Sequence, residues 1–208
     1  VILMASQQIA DLQEIVARAQ CPIVLLNAAR NLGDCASINV DNYQGAFTVT
    51  EHLIQHGYRR IAVLLGPEDN YDSTERFRGF RAAMEKHGIP IPEAFIVPGD
   101  FTRTSGFYGF NRLMTQNERP EAVFAENDMM ALGAYEAAAR LGLRIPLDVA
   151  IAGFDDIRLS RYVRPTLTTV HVPIEELGRR AVRYLLDALD GQVDPRQPFR
   201  QELTTGII

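Results

Sequence analysis

Apolar positions in this chain follow two alternating rhythms. Short runs such as Ala122–Ala125 and Val149–Gly153 are apolar at every position, the mark of strands covered on both faces in a parallel sheet. Strands are predicted at Val1–Ala5, Pro22–Leu26, Ser37–Asp41, Arg60–Leu65, Ala94–Val97, Ala122–Ala125, Val149–Gly153, Thr168–Val172 and Leu203–Ile207. Between them apolar residues recur every three or four positions. The sets are Ala46, Val49 and Leu53; Phe77, Phe80 and Met84; Phe107, Phe110 and Met114; and Ile174, Leu177, Ala181 and Leu185. Each set draws one stripe on a helix, and its aromatics and methionines read as core. Gly57, Gly88, Gly142 and Gly191 follow the helical stretches, where glycine takes a left-handed cap without steric cost. Repeated strand–helix units with right-handed crossovers predict an α/β fold of mostly parallel sheets flanked by helices.

Charge narrows the function. The chain carries a formal net charge of -5, and its densest basic run, Arg76, Arg78 and Arg81, is flanked by Glu75 and Glu85. A duplex-binding surface needs clustered cations, so these residues are not expected to bind DNA themselves. Cys21 and Cys35 lack C-x-x-C spacing and read as two reduced thiols in a cytosolic protein. No apolar stretch is long enough to span a bilayer, and no contact with a membrane is expected. His52 and His56 stand four apart on a helix, a spacing that can hold a metal, but no third ligand accompanies them. No metal or cofactor is predicted.

Ligands of open α/β sheets bind beyond the carboxyl ends of the strands. At those ends stand Asp41 and Asn42, Asp100 and Phe101, Asn127 and Asp128, and Asp155 and Asp156. Amides and carboxylates supply the donors and acceptors that hydroxyl groups need, and an aromatic ring can carry the apolar face of a sugar. The competing reading is that such residues cap the next helix. It is preferred for Asp128, which directly precedes the helical Met129–Leu141 segment, and a structural role is also preferred for Asp41. For Asn127 and Asp155 position alone leaves both readings open.

Three stretches then show a resemblance. They are VDNYQGAFTVTEHLIQHGYRRIAVLLGP from Val40 to Pro67, PEAVFAENDMMALGAYEAAARLGLRIPLDVAIAGFDD from Pro120 to Asp156, and RPTLTTVHVPIEELGRRAVRYLL from Arg164 to Leu186. In this order they resemble the effector-binding core of the LacI/GalR family of transcription regulators. The resemblance implies a two-lobed fold like that of periplasmic binding proteins. Residues 1–58 and 173–192 would form the N-terminal lobe, and 59–172 and 193–208 the C-terminal lobe, with crossings near Gly57–Arg60, His171–Pro173 and Gly191–Arg196. It also implies that the N-terminal part of the first lobe is absent from this chain, together with the DNA-binding domain through which the family reads its operator.

The family's effector residues fall on Arg76, from an R-x-x-G-F stretch; on Phe101, after G-D; on Asn127, from N-D-x-M-A; and on Asp155, from G-F-D-D. Tyr43, Gln44, Asn70, Ser73 and His171 are further candidates. The partners implied are a small sugar or sugar acid and a second copy of the chain, in the cytoplasm. Leu132, Tyr135 and the Leu159–Val163 segment are the expected dimer contributors.

Two other readings compete. A periplasmic sugar-binding protein of a transporter would have nearly the same fold, but the N-D-M-M-A and L-T-T-V motifs favour the regulator. A hydrolase using Asp155 and Asp156 is disfavoured, because neighbouring strand residues point to opposite faces. The chain also has no G-x-S-x-G, H-E-x-x-H or phosphate-binding loop. No enzymatic activity is expected.

Overall fold

The computed structural model describes residues 1–6, 12–29, 35–195 and 197–208. Their order is β1 (Ile2–Met4), α1 (Leu12–Arg18), β2 (Val24–Leu26), β3 (Ala36–Val40), α2 (Asn42–Gln55), β4 (Ile61–Leu64), α3 (Tyr71–Lys86), β5 (Ile96–Val97), α4 (Arg103–Met114), β6 (Ala122–Ala125), α5 (Asp128–Arg140), β7 (Ala150–Asp155), β8 (Thr168–His171), α6 (Ile174–Leu189), β9 (Arg200–Leu203) and β10 (Gly206–Ile207). Short 3-10 turns cover Glu93–Phe95 and Arg158–Arg161. The four predicted cap glycines all have positive φ. Cys21 and Cys35 do not form a disulfide.

The chain divides into two compact units. The first comprises Val1–Asp41, Asp69–Asp72 and Pro173–Thr204. Its sheet runs β1-β2-β3-β9, parallel throughout. The period of two sends Val24 and Leu26 to one face, against Leu177, Ala181 and Tyr184 of α6, and Leu25 to the other, against Leu12 of α1. The α6 stripe holds at Leu177, Ala181 and Leu185 and differs from expectation at its start. Ile174 is 59% exposed, whereas Tyr184, absent from the predicted set, is 4% exposed and stacks on Phe199.

The second unit comprises Asn42–Glu68, Ser73–Val172 and Thr205–Ile208. Its sheet runs β10-β8-β7-β6-β4-β5, parallel except for β10. Ala62, Leu64, Val123, Ala125 and Ile151 face α4 and α5. On the opposite face Phe124 stacks on Phe80 of α3, and Phe154 lies against Gly45 of α2. Because β4 to β8 are parallel, their carboxyl ends share one edge.

Two boundaries depart from the sequence reading. Helix α2 belongs to the second unit, so the first crossing lies at Asp41–Asn42 rather than near Gly57–Arg60. The strand predicted at Leu203–Ile207 is two strands in two sheets: β9 pairs with β3 in the first unit and β10 with β8 in the second. The third crossing therefore lies at Thr204–Thr205 rather than near Gly191–Arg196, and Arg196 itself lies outside the described residues. All of β9 but Leu203 escaped prediction because its residues, Arg-Gln-Glu-Leu, are mostly polar and it sits at a sheet edge.

Helices α4 and α5 approach backbone to backbone. A Cβ on Gly133 would stand 2.0 Å from the Arg103 carbonyl oxygen, and one on Gly106 2.1 Å from that of Met130. Gly133→Ala must therefore part the two helices, and we expect it to lower unfolding free energy by about 1–3 kcal/mol, the usual cost of overpacking. Gly178 of α6 has open space instead. Gly178→Ala should be neutral or stabilising by up to about 1 kcal/mol through helix propensity. Urea unfolding of both variants checks the pair, and equal effects would contradict the packing argument.

Candidate functional site

The carboxyl edge of the second sheet gathers most of the candidates. Gly66 follows β4, Phe101 follows β5, Glu126 and Asn127 follow β6, Asp155 ends β7 and His171 ends β8. Arg76 and Ser73 come from the first turns of α3. At the centre is Arg76, only 6% exposed. Its Nε donates to Asn42 Oδ1 at 2.8 Å, its Nη1 donates to the Glu126 backbone carbonyl, and its Nη2 lies 3.4 Å from Asp155 Oδ1. The guanidinium lies 3.9 Å from the Phe154 ring centroid and 5.8 Å from that of Phe101. A buried cation needs such compensation, and the fork geometry of arginine allows several bonds at once.

Asn127 does two jobs. Its Oδ1 accepts from the Met130 N–H at 2.9 Å, making Asn127 the N-cap of α5, and its Nδ2 donates to the Phe101 carbonyl at 3.0 Å. The cap expected at Asp128 is thus one residue earlier. Asp128 lies inside the helix, fully buried, where its carboxylate accepts from Thr169 Oγ1 at 2.6 Å and from the Ile157 N–H at 2.8 Å. An amide nitrogen has two hydrogens, so Asn127 keeps one beyond the bond to Phe101.

Backbone strain concentrates at the same edge. Phe101 has φ 66° and Asp155 φ 114°, values that L side chains rarely adopt. Each costs on the order of 1–3 kcal/mol, which surrounding contacts must offset. For Phe101 they include its carbonyl bond to Asn127 and its ring, which lies over Gly66 so closely that a Cβ there would stand 2.2 Å from it.

Glu126 ties these pieces together. Its Oε2 accepts from the Gly66 N–H at 2.7 Å and the Ser73 hydroxyl at 2.6 Å. Burial pushes its carboxyl up to about 7, against the opposing effects of Ser73, Gly66 and the Arg76 charge. Burial likewise pushes Asp128 up to about 7, against its bonds to Thr169 and Ile157, with Asp155 and Asp156 adding to the rise.

The remaining candidates have other surroundings. Tyr43 on α2 stacks on Phe47 and lies under the Arg78 guanidinium. The Gln44 side chain donates to Thr48 on an exposed helix face. His171 Nδ1 meets Asp156 Oδ2 at 2.8 Å, where Arg161 also donates. Asp156 is thus held away from Asp155, which faces Arg76. Asn70 is buried and belongs to the first unit. Sequence reasoning placed Asn42 at a strand end without naming it as an effector residue, and passed over Gly66, Glu126 and Phe154. An acidic residue directly after the apolar run Ala122–Ala125 was a visible signal for Glu126.

The raised carboxyls set a pH dependence. In the folded state they stay protonated to about pH 7, whereas unfolded they ionise near 4.5 and 3.8. Protons bound only by the folded state make stability highest in acid and lower it as pH rises from about 4 to 7, by about 1.4 kcal/mol per pH unit for each group. Glu126→Gln and Asp128→Asn should each flatten the decline measured by urea unfolding between pH 5 and 8. Curves parallel to that of the unaltered protein would contradict the assignment.

A profile of the periplasmic binding protein-like domain matches residues 50–207. The HTH-type transcriptional repressor PurR of Proteus mirabilis (strain HI4320) is 39% identical over 194 residues, covering 89% of this chain and 57% of that protein. The solved transcriptional regulator CelR–cellobiose complex superposes with a TM-score of 0.91 at 32% identity, covering 100% of this chain and 64% of that one. A regulatory protein of the LacI family from Chloroflexus aggregans gives 0.92 at 31% identity, covering 100% and 74%. The chain therefore spans little more than half the length of the curated relative it matches. It belongs to the periplasmic binding protein-like domain family and, within that, to the LacI family.

Proposed function

We propose that this chain is the effector-sensing core of a LacI-type transcriptional regulator, a cytoplasmic repressor acting as a homodimer. Its ligand is a small sugar or sugar-like metabolite. The observation that carries this reading is the joint placement of Arg76, Phe101, Asn127 and Asp155 at one sheet edge, with two of the four in strained conformations. Hydrogen-bond donors and acceptors beside an aromatic ring suit a hydroxyl-rich molecule. Strain retained at such a point is a mark of function rather than of stability.

The relatives support a binding role over catalysis. CelR is described in complex with cellobiose, and PurR is named as an HTH-type transcriptional repressor. DNA is contacted by an N-terminal domain outside this chain, consistent with the net charge of -5 and the scattered arginines here. The effector changes operator affinity by its unequal affinity for two conformations of the regulator, the only way a ligand can shift such an equilibrium. Leu159 and Tyr162, 54% and 64% exposed, supply apolar surface for the second copy. Tyr135 packs against the core of its own unit, and Leu132 is 8% exposed.

A thermal-shift screen of neutral sugars and sugar acids, cellobiose among them, should find compounds that raise Tm in proportion to the logarithm of their concentration. For the best of these, Arg76→Ala, Asn127→Ala and Asp155→Ala should each weaken calorimetric affinity by about tenfold or more, the usual worth of a hydrogen bond involving a charged group or of an orienting amide. Unchanged affinity in all three would remove the site. Asp155→Gly should lose binding as Asp155→Ala does. It should nevertheless be about 1 kcal/mol more stable than the alanine variant, because glycine accepts φ 114° without strain.

A further inference from the structure

Glu126 is the one carboxylic acid within this site that is wholly buried and half satisfied among the described residues. Its side chain is fully enclosed, Oε2 takes two donors, and Oε1 has no hydrogen-bond partner. A merely structural tie between Gly66 and Ser73 could be made by a neutral amide oxygen, without placing an ionisable group beside Arg76. The charged groups around it are few. Arg76 of α3 acts on it electrostatically, Asp155 of β7 pairs with Arg76, and Asp128, two residues on, is turned to Thr169 and Ile157.

Counting charge gives the consequence. With Glu126 ionised, one guanidinium faces two carboxylates and the site is net negative. With Glu126 protonated, Arg76 and Asp155 balance each other. Arg76 alone would read as an anion receptor, but here its charge is already matched by Asp155 and its donors are directed to Asn42 and the Glu126 carbonyl.

Resting on the binding site assigned above, we propose that Glu126 sets the charge selectivity of this site: ionised, it excludes anionic ligands and favours an uncharged, hydroxyl-rich one, and an anionic ligand enters only with uptake of one proton from solvent onto Oε1. The Oε2 bonds to Gly66 and Ser73 persist in either state, since a carboxylic acid still offers an acceptor oxygen. Burial places the change of state near neutral pH, where the carboxyl is pushed up to about 7.

The test uses matched ligand pairs differing in one charge at both pH values: cellobiose with cellobionate, and D-glucose with D-glucuronate. Calorimetric affinities are measured for the unaltered chain and for Glu126→Gln at pH 8 and pH 6. At pH 8 the unaltered chain should favour the neutral member of a bound pair by about tenfold or more, the effect of one added like charge at a few ångströms in a protein interior. Glu126→Gln should bring that preference down at pH 8, and lowering the pH to 6 should do the same to the unaltered chain but not to the variant. A structural role alone would weaken both members of a pair alike and leave the preference unchanged. The Gly66 amide proton, which donates to Glu126, gives a ligand-free readout and should titrate near neutral pH in 1H–15N spectra. If Glu126→Gln fails to fold, Asp128→Asn decides: Asp128 titrates over the same range, so the pH dependence of the preference must persist in that variant. A preference that is the same at both pH values, or a Gly66 amide that does not titrate near neutrality, overturns this inference alone. A panel in which no compound binds the unaltered chain overturns the binding site as well.

Discussion

A buried guanidinium is the constraint around which this edge of the protein is organised. Removing a charge from water costs several kcal/mol unless partners replace the lost hydration. Arg76 finds them in Asn42, the Glu126 carbonyl, Asp155 and the faces of two phenylalanine rings. Those partners come from α2, from the end of β6 and from the end of β7, so satisfying one side chain fixes the relative positions of three elements.

The same requirement accounts for the strained backbone. Asp155 holds a φ of 114° at the end of β7, where its carboxylate meets Arg76. Phe101 holds its own unfavourable φ with its ring over Gly66 and its carbonyl on Asn127. Glycine at 66 is required by close approach, since any side chain there would displace the ring. Glu126 then accepts from the Gly66 amide while its own carbonyl accepts from Arg76, so the aromatic, cationic and amide components of the site are mechanically linked.

Much of the fold was legible in the sequence because burial on both faces leaves runs with no polar residue, as at β4 and β6. What escaped had no such signature. Strand β9 is a polar edge strand, and the division of the last segment between two sheets depends on backbone pairing that side-chain chemistry does not encode. The cap of α5 was misplaced by one residue because Asn127 and Asp128 are equally good capping types, and only the structure shows Asp128 turned inward to Thr169. Arg76, Phe101, Asn127 and Asp155 were chosen by resemblance and by strand-end position. The importance of Asn42, legible only as a strand-end residue, and of Glu126 lies in what they hold, a three-dimensional property.

The central claim is that a ligand is gripped where Arg76, Phe101, Asn127 and Asp155 meet. Its most direct test is a 1H–15N titration of the labelled chain with a compound that raises its Tm, following backbone and side-chain amides together with the Arg76 Nε–H. The account predicts that the largest shifts cluster at the Arg76 Nε, the Asn127 side-chain amide and the backbone amides of Gly66, Phe101 and Asp155. Shifts centred instead on the groove lined by Phe77, Arg81, Ile89 and Ile96, with those five signals unmoved, would contradict it.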